Sequence, residues 1–320
     1  MSPLDLVLLM VANLFWALNP IAGKVLIAQT DPLTTAWLRY AGAALALAAA
    51  WPWLRRAGSE AEPRPMPLRD MAIVGIIGAT TCFLAPLCQM SGLGASTAVS
   101  NSILMTMEPL FTLLLAWLLM RGRLTRQESC VMAIAAAGAL TLSGIFSSAG
   151  LSDIPRALRQ WSRGDLLILA AVFCEACFSV LPKTLSRRYP GPRIYAPAVC
   201  IGFFLLSALA LLRGGPHLVW LSTWGWLAFF WLGPFGTTLT YLFWLYLLQR
   251  GVPLPVLAAT LYFQPVIGTA AGVLILHEPL RLNQVLGGAL ILAAVTGYVW
   301  QDVRARSQAP AVDQPIRLTL

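Results

Sequence analysis

Ten apolar stretches of about twenty residues each follow one another along this 320-residue chain, a helix of that length being enough to cross the ~30 Å hydrocarbon core of a bilayer. They fall at residues 4–27, 33–53, 70–90, 96–120, 127–147, 164–184, 194–212, 222–248, 254–276 and 282–300. Short breaks of turn formers and charge separate them, such as QTDP, RGRLTR and HEPLR. The longest break, 148–163, divides the stretches five and five. With 11% charged residues the chain falls well short of the roughly 25% usual in soluble domains. The expected architecture is an all-α polytopic membrane protein of ten transmembrane helices. A first five-helix repeat would occupy 1–147, a linker 148–163 and a second repeat 164–301, before a disordered cytoplasmic tail at 302–320. An odd number of spans per repeat inverts the second relative to the first, the arrangement of many carriers that hold substrate where two halves meet.

The net charge of +9 does not imply nucleic acid, because the basic residues cluster in loops between apolar runs. With the N-terminus in the cytoplasm, fifteen Lys and Arg fall in cytoplasmic segments and five in outer loops. That ratio places both termini in the cytoplasm. Residues 1–27 lack a basic leader region and run into a full span, so the first helix is expected to stay. The six cysteines are scattered, and Cys174 and Cys177 form a mid-helix CxxC that reads as packing. No P-loop, GxSxG, HExxH or Cys/His cluster is present. The reading is therefore no enzyme, no cofactor and no metal.

The stretch 101–124, NSILMTMEPLFTLLLAWLLMRGRL, carries Glu108 near its middle, followed at once by Pro109. The plan recurs at 262–280, YFQPVIGTAAGVLILHEPL, where Gln264 and Pro265 take the same places. Glu108 sits about 16 Å deep and Glu175 at a similar depth. A carboxylate there costs several kcal/mol unless it faces a cavity or a partner, or takes a proton. Helical spacing puts Asn101, Met105, Glu108 and Thr112 on one face, and Asn13, Trp16, Pro20 and Lys24 on another. Glu175, Ser179 and Lys183 form a third stripe, Thr237, Tyr241 and Trp244 a fourth, and Thr260, Gln264 and Gly268 a fifth. Arg39 lies about 9 Å inside the second span, where it could bind an anionic group, pair with Glu108 or cap backbone carbonyls. Lys24 reads as a snorkelling residue. Trp51, Trp53, Trp161, Trp220, Trp224 and Trp300 read as an interfacial belt. Glu108, Glu175, Asn101, Asn13, Trp16, Arg39, Tyr241, Trp244 and Gln264 are the candidate substrate-binding residues.

These residues carry a resemblance. LFWALNPIAGKVL, with Trp16 and Lys24, resembles the first helix of the drug/metabolite transporter superfamily in its ten-helix EamA branch. PLTTAWLRYAGAALAL, with Pro32, Arg39 and Tyr40, resembles the second, and the segments at Pro109 and Pro265 resemble the fourth helix and its exit, twice over. The family's Glu at that exit is present as Glu278, whereas the first-half counterpart is Gly122. Aligning Lys24 with Lys183 puts Glu175 where the first half has Trp16. The resemblance implies a ten-helix inner-membrane carrier that moves a small metabolite or drug outward.

The expectation is a secondary active transporter. It would export a small organic metabolite, amino-acid-like or amine-bearing, with proton exchange through Glu108 as one coupling the residues allow. An exchanger of anionic or phosphorylated metabolites, resting on Arg39 and Lys24, and a non-transporting membrane scaffold or sensor are the alternatives. The partners are a small-molecule substrate, protons under the exchange reading, and the bilayer, with no nucleic acid. Monomer and homodimer both stay open.

Overall fold

The computed structural model describes residues 3–57, 65–120, 163–185, 188–249 and 263–307, with scattered helical residues between 126 and 141. Most of the fifth span, residues 148–162 of the linker, Gly122, Thr260, the start of the ninth span and residues 308–320 lie outside the described residues.

Among the described residues every regular element is helical. Spans one and two are α1 (Pro3–Ile27) and α2 (Pro32–Ala57). Span three is α3 (Leu68–Ala79) and α4 (Ala85–Ala95), joined by a π turn at Thr80–Leu84. Span four is α5 (Ala98–Leu104) and α6 (Glu108–Met120), joined by a 3₁₀ turn at Met105–Met107. Span six is α7 (Arg163–Val180), tightening into a 3₁₀ turn at Leu181–Thr184. Span seven is α8 (Gly191–Leu212). Span eight is α9 (Thr223–Phe230), a π segment at Trp231–Leu239 and α10 (Thr240–Gln249). Spans nine and ten are α11 (Phe263–Leu276) and α12 (Leu282–Ser307), the latter running past the expected end of the last span. The helices over Val7–Ile27, Leu68–Ala95 and Gly191–Leu212 are long and apolar enough to cross a membrane by length and composition.

The breaks within spans follow from proline. Proline has no N–H to give the carbonyl four residues back and clashes with it. Pro86, Pro109, Pro182 and Pro234 lie within or just after the irregular turns of spans three, four, six and eight. Threonine hydroxyls take up carbonyls around these turns. Thr237 Oγ1 donates to Leu232 O and Thr240 Oγ1 to Phe235 O, both at 2.7 Å, and Thr80 Oγ1 donates to Ile76 O at 2.8 Å.

The packing repeats itself between the halves. α1 packs on α9, the π segment and α10, and on α11; in the same way α7 packs on the π turn of span three and α4, and on α5 and α6, while α3 meets the 3₁₀ turn that ends span six. α2 crosses the π segment of span eight, and α8 crosses the π turn of span three. α2 meets α8, and α5 meets α11, across the junction of the repeats. Exchanging the halves maps the pairing of spans one and eight onto that of spans six and three, and the pairing of spans one and nine onto that of spans six and four. Glycines permit the closest crossings: a Cβ on Gly202 would run into the Cβ and the carbonyl oxygen of Cys82. On the other side Gly42 faces Pro234 and Phe229, and Gly233 faces the Arg39 carbonyl. The pair Gly268 and Gly272 is used inside the chain, against Ser102 and Val99 of α5. These crossings enclose one large apolar core that includes Tyr40, Met90, Tyr195 and Leu232.

The two ends of the bundle are tied differently. At one end Glu278 accepts from the backbone N–H groups of Ala98 and Val99, each at 2.9 Å, so it caps α5 from the opposite repeat. Lys24 beside it is half-buried and donates to Ser96 O, so it is bonded within the protein instead of snorkelling. At the other end Asp70, buried, pairs with Arg188 at 2.9 Å and accepts from Tyr189 Oη at 2.9 Å. Trp53, Trp220 and Trp224 are 66%, 92% and 73% exposed, as an interfacial belt requires.

Asp31 caps α2, accepting from Leu33 N and Thr34 N at 2.9 and 3.0 Å, with Pro32 at the first helical position. Partial burial opposes its charge, but the bonds from Thr34 and Leu33 and the nearby His217 outweigh that and hold the carboxyl below its usual range.

Two stability changes follow. Gly202→Ala should destabilise the protein in detergent by about 2 kcal/mol, because helices must separate to admit the methyl. Gly75→Ala, with open space around it, should leave the melting temperature unchanged. Asp31→Ala should cost about 1 kcal/mol at neutral pH. Because the folded carboxyl titrates below its unfolded value, that difference is full above the unfolded pKa and fades as pH falls through the folded one. Melting curves of both proteins across acidic pH check the sign.

Candidate functional site

A cavity of about 810 Å³, counting the space it shares with solvent, opens where the two repeats meet. Spans one, two, three, four, six, eight and nine contribute to its wall. Span one gives Trp16, Ala17, Asn19 and Pro20; span two gives Arg39; span three gives Gln89. Span four gives Asn101, Ser102, Met105 and Glu108, from both sides of its 3₁₀ turn. Glu175 and Phe178 come from span six, Tyr241 and Trp244 from span eight, and Gln264 from span nine.

Glu175 is 9% exposed and accepts a hydrogen bond from Tyr241 Oη at 2.8 Å. Aromatic rings surround that phenol. Tyr195 stacks on Tyr241 at 5.2 Å, while Phe178 and Trp16 meet it edge-on at 4.8 and 5.5 Å. Trp244 follows Trp16 at 5.4 Å. The electron-rich faces of such rings attract cations, and a carboxylate stands among them.

Arg39 is 3% exposed. Its Nε donates to Thr237 Oγ1 at 2.9 Å and its Nη1 to Gln89 Oε1 at 2.8 Å, with the Tyr40 ring 5.9 Å from its Cζ. The guanidinium thus neither pairs with Glu108 nor caps carbonyls; an amide and a hydroxyl hold it, and its Nη2 takes no bond among the described residues. Asn101 is fully buried, and neither atom of its side-chain amide has a hydrogen-bond partner among the described residues. Asn19 donates to Gly236 O at 3.2 Å, while its Oδ1 has no partner among the described residues.

Glu108, Glu175, Asn101, Trp16, Arg39, Tyr241, Trp244 and Gln264 all line the cavity. Asn13 does not: it is buried behind the wall, donating to Leu9 O and accepting from Gln264 Nε2 at 2.9 Å, so it positions Gln264. Thr237 and Thr112 are also buried off the cavity, and Thr237 serves as a support for Arg39. Asn19, Gln89, Ser102 and Phe178 are wall residues that the sequence reading passed over. Asn19 lies three residues from Trp16 on the same helix face, and Gln89 is an isolated amide in an apolar run; either signal marks a span residue for attention. Phe178 has none, since its spacing suits a lipid-facing or core ring equally well. Among the described residues no cluster of His, Cys, Asp and Glu is suited to a metal ion.

The model of the EamA-like transporter family matches residues 4–144 and again 162–300. A Salmonella typhimurium protein named "Probable amino-acid metabolite efflux pump" is 28% identical over 92% of this chain and 94% of its own. An "Uncharacterized transporter" of Methanothermobacter thermautotrophicus is 24% identical over 90% of this chain and 84% of its own. A solved crystal structure superposes with a TM-score of 0.62 at 19% identity, covering 97% of this chain and 100% of the other, which shows the shared fold. Matched in both halves, this all-helical membrane protein belongs to the EamA-like transporter family and is a transporter.

Proposed function

We propose that the protein is a secondary active exporter of a small amine-bearing, amino-acid-like metabolite, held in the cavity between the repeats and exchanged for protons. The observation that carries this reading is the composition of the cavity wall. Two carboxylates, Glu108 and Glu175, share the wall with the rings of Trp16, Tyr241 and Trp244 and, among the described residues, with one cation, Arg39. Carboxylate and aromatic faces together suit an ammonium group. A phosphorylated or dianionic solute would meet two like charges and one cation, since Lys24 is bonded to Ser96 O and is not part of the wall. The relative named as an amino-acid metabolite efflux pump supports the same class.

Exchange follows if a proton and the substrate ammonium compete for the same carboxylate. Glu108 is half-buried and starts α6 directly after the 3₁₀ turn. Glu175 lies deeper, tethered by Tyr241. In this reading Glu108 carries the proton exchange and Glu175 holds the ammonium. The excess of Lys and Arg in one set of loops supports an inner-membrane location with both termini in the cytoplasm.

Proteoliposomes loaded with labelled amino acids, with and without an imposed pH gradient, test the proposal. Glu108→Gln should abolish the response to the gradient, and normal transport with unchanged pH dependence would refute its role. Glu175→Gln should slow transport by about tenfold or more, the minimum expected for losing one member of a buried charge contact. Glu175→Asp should recover part of it. Tyr241→Phe, which keeps the ring and removes the phenol bond, should slow transport less than Glu175→Gln.

A further inference from the structure

Asn101 stands out among the polar groups of the bundle. It is fully buried, lines the cavity, and leaves both its amide nitrogen and its amide oxygen without a partner among the described residues. An unmade hydrogen bond at a buried group is destabilising unless a ligand completes it. A side chain that offers a donor and an acceptor side by side into a cavity is complementary to a ligand that carries an acceptor and a donor side by side.

Arg39 adds the second element. Thr237 and Gln89 fix its guanidinium, leaving Nη2 without a bond among the described residues. Arg39 and Asn101 are both within about two helical turns of the bundle end marked by Lys24, Arg39 seven residues after Pro32 and Asn101 three after Ala98. Glu108 and Glu175 follow ten residues after Ala98 and twelve after Arg163 on helices that start at that same end. The wall is therefore graded along the bundle, with guanidinium and amide toward the Lys24 end and carboxylates and rings deeper.

We infer that Asn101, with Arg39 Nη2, forms a carboxylate-recognising subsite, so that the transporter selects α-amino acids over the amines left by their decarboxylation. This rests on the amino-acid-like reading above and assigns the other end of the substrate. The Asn101 amide N–H and the guanidinium donate to the substrate carboxylate, while the Asn101 amide oxygen accepts from the neighbouring ammonium. A bare amine satisfies the carboxylates and rings but leaves the Asn101 nitrogen and Arg39 unmatched, and a site built for a hydrogen bond discriminates strongly against a ligand lacking it.

The test compares L-leucine with isoamylamine and L-histidine with histamine, by uptake into liposomes holding the full chain and by thermal shift of the purified protein. The unsubstituted protein should favour each amino acid over its amine by about tenfold or more, the worth of about 1.4 kcal/mol. Asn101→Asp replaces the donor with a negative charge and should bring that ratio to about one or below, with uptake of the amine retained. Asn101→Leu should also erase the preference while leaving the melting temperature unchanged or raised, because the amide has no protein partner to lose. A preference that survives Asn101→Asp, or a marked fall in melting temperature for both variants, overturns the subsite with the amino-acid-like reading intact. If the unsubstituted protein moves or binds the amines as well as the amino acids, the subsite is likewise overturned. If it takes neither member of any pair, the amino-acid-like reading fails and the subsite falls with it.

Discussion

A backbone carbonyl in hydrocarbon must find a donor inside the protein, and the rest of this structure is arranged around the places where proline removes one. The irregular turns at Thr80–Leu84, Met105–Met107, Leu181–Thr184 and Trp231–Leu239 each lie beside or contain a proline within three residues. Non-helical backbone at membrane depth is tolerated only against protein or a cavity. Both conditions are met. The π turns of spans three and eight press against α8 and α2 at glycine positions. The 3₁₀ turn of span four presents Met105 and Glu108 to the cavity, and Tyr241 follows directly after the π segment of span eight. The interruptions that weaken each helix thus aim the side chains that make the site.

Arg39 shows how one residue serves two ends. Its partners are Gln89 of span three in its own repeat and Thr237 of span eight in the other. A buried guanidinium is costly unless it is bonded; here two polar side chains and the Tyr40 ring compensate it. The same bonds tie the repeats together at the wall of the cavity and orient the remaining nitrogen. A lysine would keep the charge but could not make this forked set of contacts. This gives a physical reason for an arginine at the position irrespective of which solute is carried.

Much of this was legible in the residues. Apolar length set the spans, and the five-and-five division anticipated the repeated packing. Eight of the nine candidate residues line the cavity because helical spacing places Asn101 with Glu108 and Tyr241 with Trp244 on single faces. The stripes misplace Thr237 for a specific reason. Counting by the α-helical period assumes an unbroken helix, whereas a π turn closes from i to i+5 and a 3₁₀ turn from i to i+3, and Thr237 sits inside the π segment. Helical spacing puts Asn13 and Gln264 both on the wall, but two amides on facing helices satisfy one another, and only Gln264 reaches the cavity. Which buried amide keeps its bonds for a ligand is decided by neighbours on other helices, which a single helix's spacing does not contain.

The departures from symmetry are where direction and selectivity must reside, because a perfectly two-fold carrier would offer the same surface to both sides of the membrane. In the repeat alignment Trp16 and Glu175 occupy equivalent places, yet one is a ring and the other a carboxylate, and both converge on Tyr241. Glu108 faces the cavity as a carboxyl group, while its counterpart Gln264 is an amide already bonded to Asn13. The bundle ends differ as well. Glu278 ties the Lys24 end by capping α5 from the opposite repeat, whereas Asp70 with Arg188 and Tyr189 ties the other. The two ends are therefore tied by different chemistry. Where the ends of a two-repeat carrier are tied by different groups, the balance between open and closed at each end can be set independently.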